Sequence, residues 1–304
     1  MRHSVLIIED EQIQAVSMQE YLQEERPHLL VNIATTQQEI ETKIENLYYD
    51  IAVIDLQFKG FQFDGIHVAK KVLSLNPFAK IIIVSGWTNE YKSDIDLLLD
   101  LKTDKVWGII DKKSKQIQTN MKVLEIVDKV VKDFDEKPLL HQRTLESLYA
   151  EAKNETDKYL KGVKFEQFVG FLFSQMGFVH ISKRVKDQSL GEVDLIVRNE
   201  LNDIFFQKFK PYILIECKNT AEKVDINAFK LFYNKLEHTN GMANLGFLIT
   251  SNTIKDTAYT EAIRTSGKGN KVIFITNLEI ARLIQSINIL DTMKAIIDEQ
   301  VKDN

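Results

Sequence analysis

The chain has 304 residues, of which 44% are hydrophobic and 9% aromatic, so it is long enough for two domains that each bury a core. Cys217 is the single cysteine, which excludes an intrachain disulfide, and the net charge is −5. The apolar run near the start is too short for a signal peptide, and no later run is long enough to cross a membrane. We therefore expect a soluble, cytoplasmic protein with no membrane partner.

Short apolar runs alternate with helical patterns over residues 1–136. The predicted strands are 4–10, 29–35, 50–56, 80–86 and 105–111, and the predicted helices are 12–25, 36–47, 65–75, 90–101 and 115–134. This alternation predicts an α/β domain with a doubly wound, five-stranded parallel sheet. In such a sheet the functional site lies beyond the carboxyl ends of the strands.

Polar residues follow four of these predicted strands. They are Glu9 and Asp10, then Asp55, Ser85 and Lys112. Three carboxylates at one edge repel one another, and a divalent cation with oxygen ligands, such as Mg²⁺, removes that repulsion. With the metal bound, one carboxylate could attack phosphorus while the lysine neutralises the phosphoryl oxygens.

The segments VLIIEDE, AVIDL, IIIVSG and GIIDKK occur in this order, and they resemble the receiver domain of response regulators over about residues 1–135. The resemblance implies a flavodoxin-like fold with Asp55 as the phospho-acceptor and Ser85 and Lys112 as phosphate-sensing residues. It implies a Mg²⁺ site built from Glu9, Asp10, Asp55 and the main-chain carbonyl of Gln57. A histidine kinase or a phosphotransfer protein would then supply the phosphate.

The chain departs from the receiver pattern at three places. The loop DLQFKGFQFDG lacks the usual Met-Pro pair and is slightly longer, and the aromatic switch position holds Ile109. Lys113 replaces the proline that usually follows the lysine, so Lys113 is a second candidate for the role of Lys112. The alternative is a receiver fold that is never phosphorylated. We favour phosphorylation because all five functional positions are filled.

The fifth helical pattern continues past Pro138 into a polar stretch that Gly162 could end. We therefore expect a helical linker over 137–162. It could be a solvated spacer, or a lever or dimer seam that carries the state of the first domain to the second. The leucines at 139, 145 and 148 do not sustain heptads, so a long coiled coil is not supported.

Residues 163–304 are predicted to form a second α/β domain around a mixed sheet. The predicted strands are 179–185, 191–199, 211–219, 245–251 and 271–277, and the predicted helices are 163–176, 224–239, 254–266, 278–286 and 288–304. The C-terminal helix has an apolar stripe that could pack on the core or on a second protomer.

The third of these strands, PYILIECKN, ends in two charged residues. Glu216 and Lys218 are two residues apart and so share a face of the strand. Asp194 lies on the preceding strand, and because adjacent strands are about 4.8 Å apart, Asp194 and Glu216 could hold one Mg²⁺. Lys218 could orient a water or neutralise charge at phosphorus. An ordinary ion pair between Glu216 and Lys218 is the alternative.

The order Asp, then Glu-x-Lys, with FEQFVGFLFSQMGF, GEVDLIV, ILIECKN and LGFLITS, resembles the Mrr-like restriction endonucleases of the PD-(D/E)xK superfamily over about residues 163–285. The resemblance implies hydrolysis of DNA phosphodiesters, with Asp194 and Glu216 as metal ligands. Lys218 would be the catalytic lysine and Glu166 an accessory acid. Val193 stands where the motif usually has proline.

Three basic stretches are candidates for contacts to DNA phosphates: 182–186, 208–210 and 264–271. The residues chosen from them are Lys183, Arg184, Lys186 and Lys268. A solvated loop explains each stretch equally well, and no recognition helix is predicted. Cys217 points away from the metal face, and we expect it to pack in the core.

Together these patterns predict a Mg²⁺-dependent endonuclease for double-stranded DNA, controlled by phosphorylation of Asp55. A homodimer is expected, and defence against foreign DNA would suit this architecture. The main alternative is a response regulator whose second domain only binds nucleic acid or protein. Cleavage of RNA or of particular nucleic acid structures is a further alternative.

Overall fold

The structure is a computed structural model that describes residues 3–76, 78–101, 105–112, 115–136, 138–187, 191–266 and 269–302. The chain divides into two compact units, Met1–Lys137 and Pro138–Asn304. Among the described residues, no helix is both long and apolar enough to cross a membrane.

The first unit is a parallel sheet with helices between its strands. The strands are Ser4–Ile8 (β1), Leu30–Ala34 (β2), Ile51–Ile54 (β3), Lys80–Ser85 (β4) and Val106–Asp111 (β5). The helices are Gln12–Glu25 (α1), Gln37–Asn46 (α2), Gly65–Leu75 (α3), Lys92–Leu101 (α4) and Gln116–Glu136 (α5). The strand order is β2-β1-β3-β4-β5, and all neighbouring strands are parallel. The predicted five-stranded, doubly wound sheet is confirmed.

The central strands of this sheet are buried on both faces. Every residue of β1, β3 and β4 is buried, as expected where helices cover both sides of a parallel sheet. On one face Val5, Ile7 and Val53 pack with Met18 of α1 and Val127 of α5. This packing fixes the carboxyl ends of β1 and β3 next to each other.

His3 lies buried beside the end of α5. Its ring stacks on Phe134 with the centroids 5.9 Å apart, its Nε2 lies 3.2 Å from Asp135 Oδ1, and its Nδ1 lies 3.6 Å from Asp50 Oδ2. Burial lowers the pKa of His3, but its contacts with the Asp50 and Asp135 carboxylates outweigh burial, and the net effect raises the pKa.

A raised pKa makes the stability of the first unit depend on pH. The protonated His3 stabilises the folded state fully at pH below about 6.5, its unfolded pKa, and this stabilisation is lost as pH rises through the folded pKa. We therefore expect His3→Gln to destabilise the protein more at pH 6 than at pH 8.5. Denaturation followed by tryptophan fluorescence measures this unit alone, because both tryptophans, Trp87 and Trp107, lie in it. An equal effect at both pH values would contradict the prediction.

The second unit has a mixed sheet. Its strands are Ile181–Asp187 (β6), Gly191–Arg198 (β7), Tyr212–Lys218 (β8), Ala243–Thr250 (β9) and Lys271–Ile275 (β10). Its helices are Pro138–Asn154 (α6), Lys158–Gln175 (α7), Ile226–Glu237 (α8), Asp256–Ser266 (α9), Asn277–Ile284 (α10) and Ile289–Lys302 (α11). The order is β10-β9-β8-β7-β6, with β8 to β10 parallel and β6 to β8 antiparallel. The predicted mixed sheet is confirmed.

The stretch predicted as one helical linker, 137–162, contains α6 and the start of α7. Helix α5 is described as far as Glu136 and α6 from Pro138, and residue 137 lies outside the described residues, so the continuation of the helix past Pro138 stays a prediction. Gly162 does not end the connector, because it lies inside α7, whose N-cap is Asp157.

Helix α6 has a buried face rather than being solvated all round. Leu145 and Ala152 are buried, and the Tyr149 ring lies against the Phe165 and Phe168 rings of α7, with centroids 6.4 Å and 5.1 Å away. These residues recur at helical spacing on one face of α6. A solvated spacer does not describe this helix, which packs within the second unit.

Candidate functional sites

The carboxyl ends of β1 and β3 bring three carboxylates together. One oxygen each from Glu9, Asp10 and Asp55 lies within 4.8 Å of the others. Lys112, which follows β5, donates a hydrogen bond to Asp55 Oδ2 over 2.8 Å and also contacts Glu9. The sequence predicted this meeting of residues from the ends of β1, β3 and β5.

The backbone fixes the position of Asp55. Its N–H donates to the Ile8 carbonyl over 3.0 Å, and its Oδ1 accepts a bond from the Leu56 N–H over 2.6 Å. The start of α3 approaches closely: a Cβ on Gly65 would lie 1.9 Å from the Asp55 carbonyl oxygen. Only glycine permits this approach, which holds the loop after β3 against the site.

The cluster strongly perturbs the ionisation of its members. Burial raises the pKa of Glu9 to about 7; the Asp55 charge also raises it, while Lys112 opposes the shift. Burial lowers the pKa of Lys112, but the Glu9 and Asp55 carboxylates outweigh burial and raise it. The lysine therefore stays charged and offsets part of the repulsion between the carboxylates.

The other predicted receiver residues lie around this cluster. Ser85 is buried, its Oγ accepts a hydrogen bond from the Trp87 N–H over 3.2 Å, and its carbonyl accepts one from the Lys112 N–H over 3.1 Å. The Gln57 N–H lies 3.4 Å from Asp55 Oδ1, and a metal-binding role for its carbonyl stays a prediction. Lys113 lies outside the described residues.

Sequence reasoning missed an aromatic cluster in the loop after Asp55. The rings of Phe58, Phe61 and Phe63 contact one another, with centroids 5.5 to 6.1 Å apart. The same loop places the Lys59 N–H 2.9 Å from Asp10 Oδ2. The alternation of phenylalanine with polar residues in QFKGFQF was the signal that could have identified this cluster.

In the second unit, Asp194 and Glu216 lie on neighbouring antiparallel strands. Leu195 pairs with Ile215, so the next position in the same register brings Asp194 opposite Glu216. Residues directly opposite each other in an antiparallel pair point to the same face. Asp194 Oδ2 accepts a hydrogen bond from the Cys217 N–H over 2.7 Å, which orients its carboxylate at the end of the pair.

Glu216 lies between two lysines. Its Oε1 lies 2.6 Å from Lys218 Nζ, and its Oε2 lies 2.8 Å from Lys235 Nζ. Lys235, on α8, also donates to the Glu192 carbonyl of β7 over 2.7 Å. The Lys235 side chain is 21% exposed and the Lys218 side chain 34%, so Lys235 is the more fixed and Lys218 the more accessible of the two.

Sequence reasoning also missed Lys235. It flanks the apolar face of α8 formed by Phe229, Phe232, Tyr233 and Leu236. A lysine beside such a face can bury its methylene stem while its ammonium reaches a carboxylate on the sheet below. That position on the helix was the available signal.

The charges of this site are coupled. Burial, with the Glu216 and Glu166 charges, raises the pKa of Asp194 to about 6, against the bond from the Cys217 N–H, which lowers it. Glu166, half-buried on α7, is therefore close enough to act on Asp194 electrostatically. Burial lowers the pKa of Lys218, but Glu216 and Asp194 outweigh burial and raise it, so Lys218 stays protonated.

Burial raises the pKa of the Cys217 thiol well above its usual value, and the Asp194 and Glu166 charges act in the same direction. We expect a thiol reagent at pH 8 to modify folded Cys217 at least about tenfold more slowly than the unfolded chain, because the thiolate is the reactive form. Cys217→Ala should keep any nuclease activity, since the bond to Asp194 comes from the main chain. Cys217 is half-buried in the structure, so its packing in the core is only partial, and fast modification of the folded protein would contradict it.

The structure does not test the four predicted DNA contacts, although it places three of these residues on one strand. Lys183 is half-buried in β6, which lies at one edge of the second sheet. Arg184 and Lys186 belong to the same strand, and their side chains are not described. Lys268 lies outside the described residues. Their contact with DNA stays a prediction.

Comparison with known families identifies both units. Residues 5–124 match the response regulator receiver domain, and residues 158–284 match the catalytic domain of Mrr, described as a restriction endonuclease. The chain joins a receiver domain to an Mrr-like restriction endonuclease domain. The first unit is hereafter the receiver domain and the second the nuclease domain.

Solved structures with similarity to the chain include three receivers. A CheY-like receiver domain protein from Methanospirillum hungatei is 24% identical, with a TM-score of 0.37, and covers 44% of this chain and 99% of its own. The N-terminal domain of a response regulator from Carboxydothermus hydrogenoformans is 18% identical, with a TM-score of 0.34, and covers 44% of this chain and 98% of its own. A response regulator from Thermotoga maritima in complex with Mg²⁺ and BeF is 23% identical, with a TM-score of 0.32, and covers 41% of this chain and 98% of its own. No curated protein matches the chain.

Both kinds of domain generally use a divalent metal, typically Mg²⁺. In the receiver domain, three carboxylates whose oxygens lie within 4.8 Å of one another fit a hard cation. In the nuclease domain, Asp194 and Glu216 offer carboxylate oxygens on one face, and Asp194 is held by a main-chain bond that leaves its Oδ1 available as a ligand. The residues of the receiver domain fit a metal as they stand, whereas a metal at Asp194 and Glu216 would have to take the place of Lys218 at Glu216 Oε1.

Proposed function

We propose that this protein is a Mg²⁺-dependent DNA endonuclease whose activity is controlled by phosphorylation of Asp55. The observation that carries the proposal is the grouping of Asp194, Glu216 and Lys218 at the end of one strand pair, in a chain that also holds a complete receiver cluster. A histidine kinase or a phosphotransfer protein would supply the phosphate, and double-stranded DNA would be the substrate.

In the nuclease domain Asp194 and Glu216 would hold the metal, with Glu166 as an accessory acid. The bound metal would polarise the scissile phosphate and lower the pKa of an attacking water. Lys218, which is protonated and accessible, would turn from Glu216 to the phosphate and neutralise the charge that develops there. Lys235 would keep Glu216 in place as Lys218 moves, because Lys235 is also tied to the Glu192 carbonyl.

In the receiver domain a carboxylate oxygen of Asp55 would take the phosphoryl group from the donor. Lys112, already 2.8 Å from Asp55 Oδ2, would pair with the phosphoryl oxygens, and Ser85 would turn its hydroxyl from the Trp87 N–H to the phosphate. Glu9, Asp10 and the Gln57 carbonyl would complete the Mg²⁺ site. The phosphoryl group adds about 1.5 to 2 negative charges, which the metal and Lys112 would offset.

Control of cleavage needs coupling between the domains. Moving an equilibrium from mostly inactive to mostly active takes a change of roughly 10⁴ in the ratio of states, about 5.5 kcal/mol. A homodimer interface that responds to the phosphate could supply a change of this size. Such a protein would suit defence against foreign DNA, where cleavage must stay off until a signal arrives.

The test of the proposed nuclease is cleavage of supercoiled plasmid by the purified chain. We expect nicked and linear products with Mg²⁺ and none with a chelator. Glu216→Gln should retain plasmid on a gel with Ca²⁺ and should not cut it with Mg²⁺. If wild type retains DNA but does not cut it with any of Mg²⁺, Mn²⁺ or Co²⁺, the proposal fails and a domain that only binds is favoured. Cleavage of RNA and not of DNA would show that the proposed substrate is wrong.

A further inference from the structure

The residue that follows Lys218 joins the catalytic strand to the helix that follows the receiver. Asn219 Nδ2 donates to the carbonyl of Ala152 in α6 over 2.9 Å and to the carbonyl of Lys161 in α7 over 3.0 Å. Its Oδ1 accepts a hydrogen bond from Ser251 Oγ over 2.7 Å. One side chain therefore connects β8 with both helices and with the end of β9.

The corner between α6 and α7 is held together by its own contacts. Glu155 Oε2 lies 2.6 Å from Lys164 Nζ, and Glu155 Oε1 accepts bonds from the Thr156 and Asp157 N–H groups over 2.8 and 3.1 Å. Asp157 caps α7 by accepting from the Leu160 N–H over 2.8 Å. The two carbonyls that Asn219 binds lie on either side of this corner. The Asn219 side chain is therefore held by both helices, and a shift of the corner would move or break its bonds.

Helix α6 is also the first element of the nuclease domain after the receiver domain. Its buried face, with Leu145 and Tyr149, packs it against α7, and α7 carries Glu166. A displacement that the receiver domain transmits along the chain would enter the nuclease domain through α6. Through the bonds of the Asn219 side chain, such a displacement would reach the main chain directly after Lys218.

We propose that Asn219 is a positioning residue that couples α6 to Lys218, so that the phosphorylation state of Asp55 reaches the nuclease site through this contact. This inference rests on the proposed function and names its route of regulation. An amide that donates to two carbonyls in fixed positions must move with them or lose its bonds. Two arrangements of the corner would thus place Lys218 in two positions relative to Glu216 and Asp194.

The test compares full-length variants in two states, with and without beryllofluoride as a phosphate mimic. Asn219→Ala removes all three bonds, and Asn219→Asp keeps the acceptor for Ser251 but replaces the amide donor. Asn252→Ala is the matched control, because Asn252 Nδ2 bonds to the Ala221 carbonyl over 2.6 Å and not to α6 or α7. Hydrogen exchange is measured in peptides from α6 and from β8, together with the rate of plasmid cleavage.

In wild type we expect beryllofluoride to change exchange in both α6 and β8, and to change the cleavage rate by roughly tenfold or more in either direction. In Asn219→Ala and Asn219→Asp the change in α6 should remain, the change in β8 should be lost, and the ratio of the two cleavage rates should fall to about one. Asn252→Ala should behave as wild type. A merely structural role would instead lower both rates by the same factor and leave their ratio unchanged.

Three results would overturn the coupling. The first is that beryllofluoride does not change hydrogen exchange in β8 of the wild type. The second is that it still changes exchange in β8 of Asn219→Ala. The third is that the ratio of cleavage rates with and without beryllofluoride is the same in Asn219→Ala as in the wild type. The exchange measurement does not need cleavage. If β8 responds through Asn219 but DNA is not cut, the coupling stands and the proposed nuclease fails. If DNA is cut but hydrogen exchange in β8 does not respond to beryllofluoride, the proposed nuclease stands and the coupling fails.

Discussion

Replacing Lys218 with methionine is expected to lower the rate of plasmid cleavage by roughly 10²- to 10⁴-fold, the loss typical of one charge-stabilising or proton-transferring group. Its ammonium lies 2.6 Å from Glu216 Oε1 and its side chain is 34% exposed, so the ammonium can reach a bound phosphate. Methionine keeps a similar length without the charge. The loss should appear in the rate of cleavage while retention of plasmid on a gel with Ca²⁺ stays near that of wild type.

Lys230→Met is the matched control for this prediction. Lys230 lies on α8, is 54% exposed and pairs loosely with Glu261 at 3.9 Å, away from the carboxylates of the site. We expect it to cut as wild type does. If Lys218→Met also cuts as wild type, the assignment of Lys218 is wrong. Loss of cleavage in Lys235→Met alone would then transfer the charge-stabilising role to Lys235.

Replacing Asp55 with asparagine is expected to abolish the response of cleavage to beryllofluoride or to a small phosphodonor. The carboxylate of Asp55 is the group that would be phosphorylated, and an amide cannot form the acyl phosphate. The ratio of cleavage rates with and without the phosphate mimic should fall from roughly tenfold or more to about one. Intact mass after incubation with acetyl phosphate should show a phosphoryl adduct in wild type and none in this variant.

Asp96→Asn is the control for Asp55→Asn, because Asp96 is exposed on α4 and is not one of the three clustered carboxylates. It should keep both the adduct and the response. An adduct on Asp55→Asn would place the phospho-acceptor elsewhere. Cleavage that responds to the mimic in Asp55→Asn as in wild type would contradict control through this residue.

The elements of both sheets could be predicted from the sequence because their signals are local. Buried parallel strands read as continuous apolar runs, and β1, β3 and β4 lie within the predicted segments. The end of β3 was placed two residues late, at 56 where the strand ends at Ile54. The reason is that the Asp55 side chain accepts a hydrogen bond from the Leu56 N–H, which takes this N–H away from the hydrogen bonds between the strands.

The connector was harder to predict because its structure depends on tertiary packing. The polar sequence of 138–154 is compatible with a solvated helix, and no local signal indicates that Leu145 is buried or that Tyr149 packs on Phe165 and Phe168. Gly162 is a usual signal for a helix end, yet it is tolerated inside α7, where the Asp157 cap and buried phenylalanines stabilise the helix.

The candidate nuclease site could be predicted in part. The two-residue spacing of Glu216 and Lys218 placed them on one face, and the chain order placed Asp194 on the neighbouring strand. The bond from the Cys217 N–H to Asp194 depends on where the strand pair ends, which sequence spacing does not determine. Lys235 reaches Glu216 from a helix, so only the packing of α8 on the sheet reveals it.

The central claim is that one chain cuts DNA under the control of its own receiver domain. The most direct measurement is the initial rate at which full-length wild-type protein cuts supercoiled plasmid in Mg²⁺, measured with and without beryllofluoride in the same preparation. We expect metal-dependent cleavage whose rate differs by roughly tenfold or more between the two states. Equal rates in both states, or no cleavage in either, would contradict it.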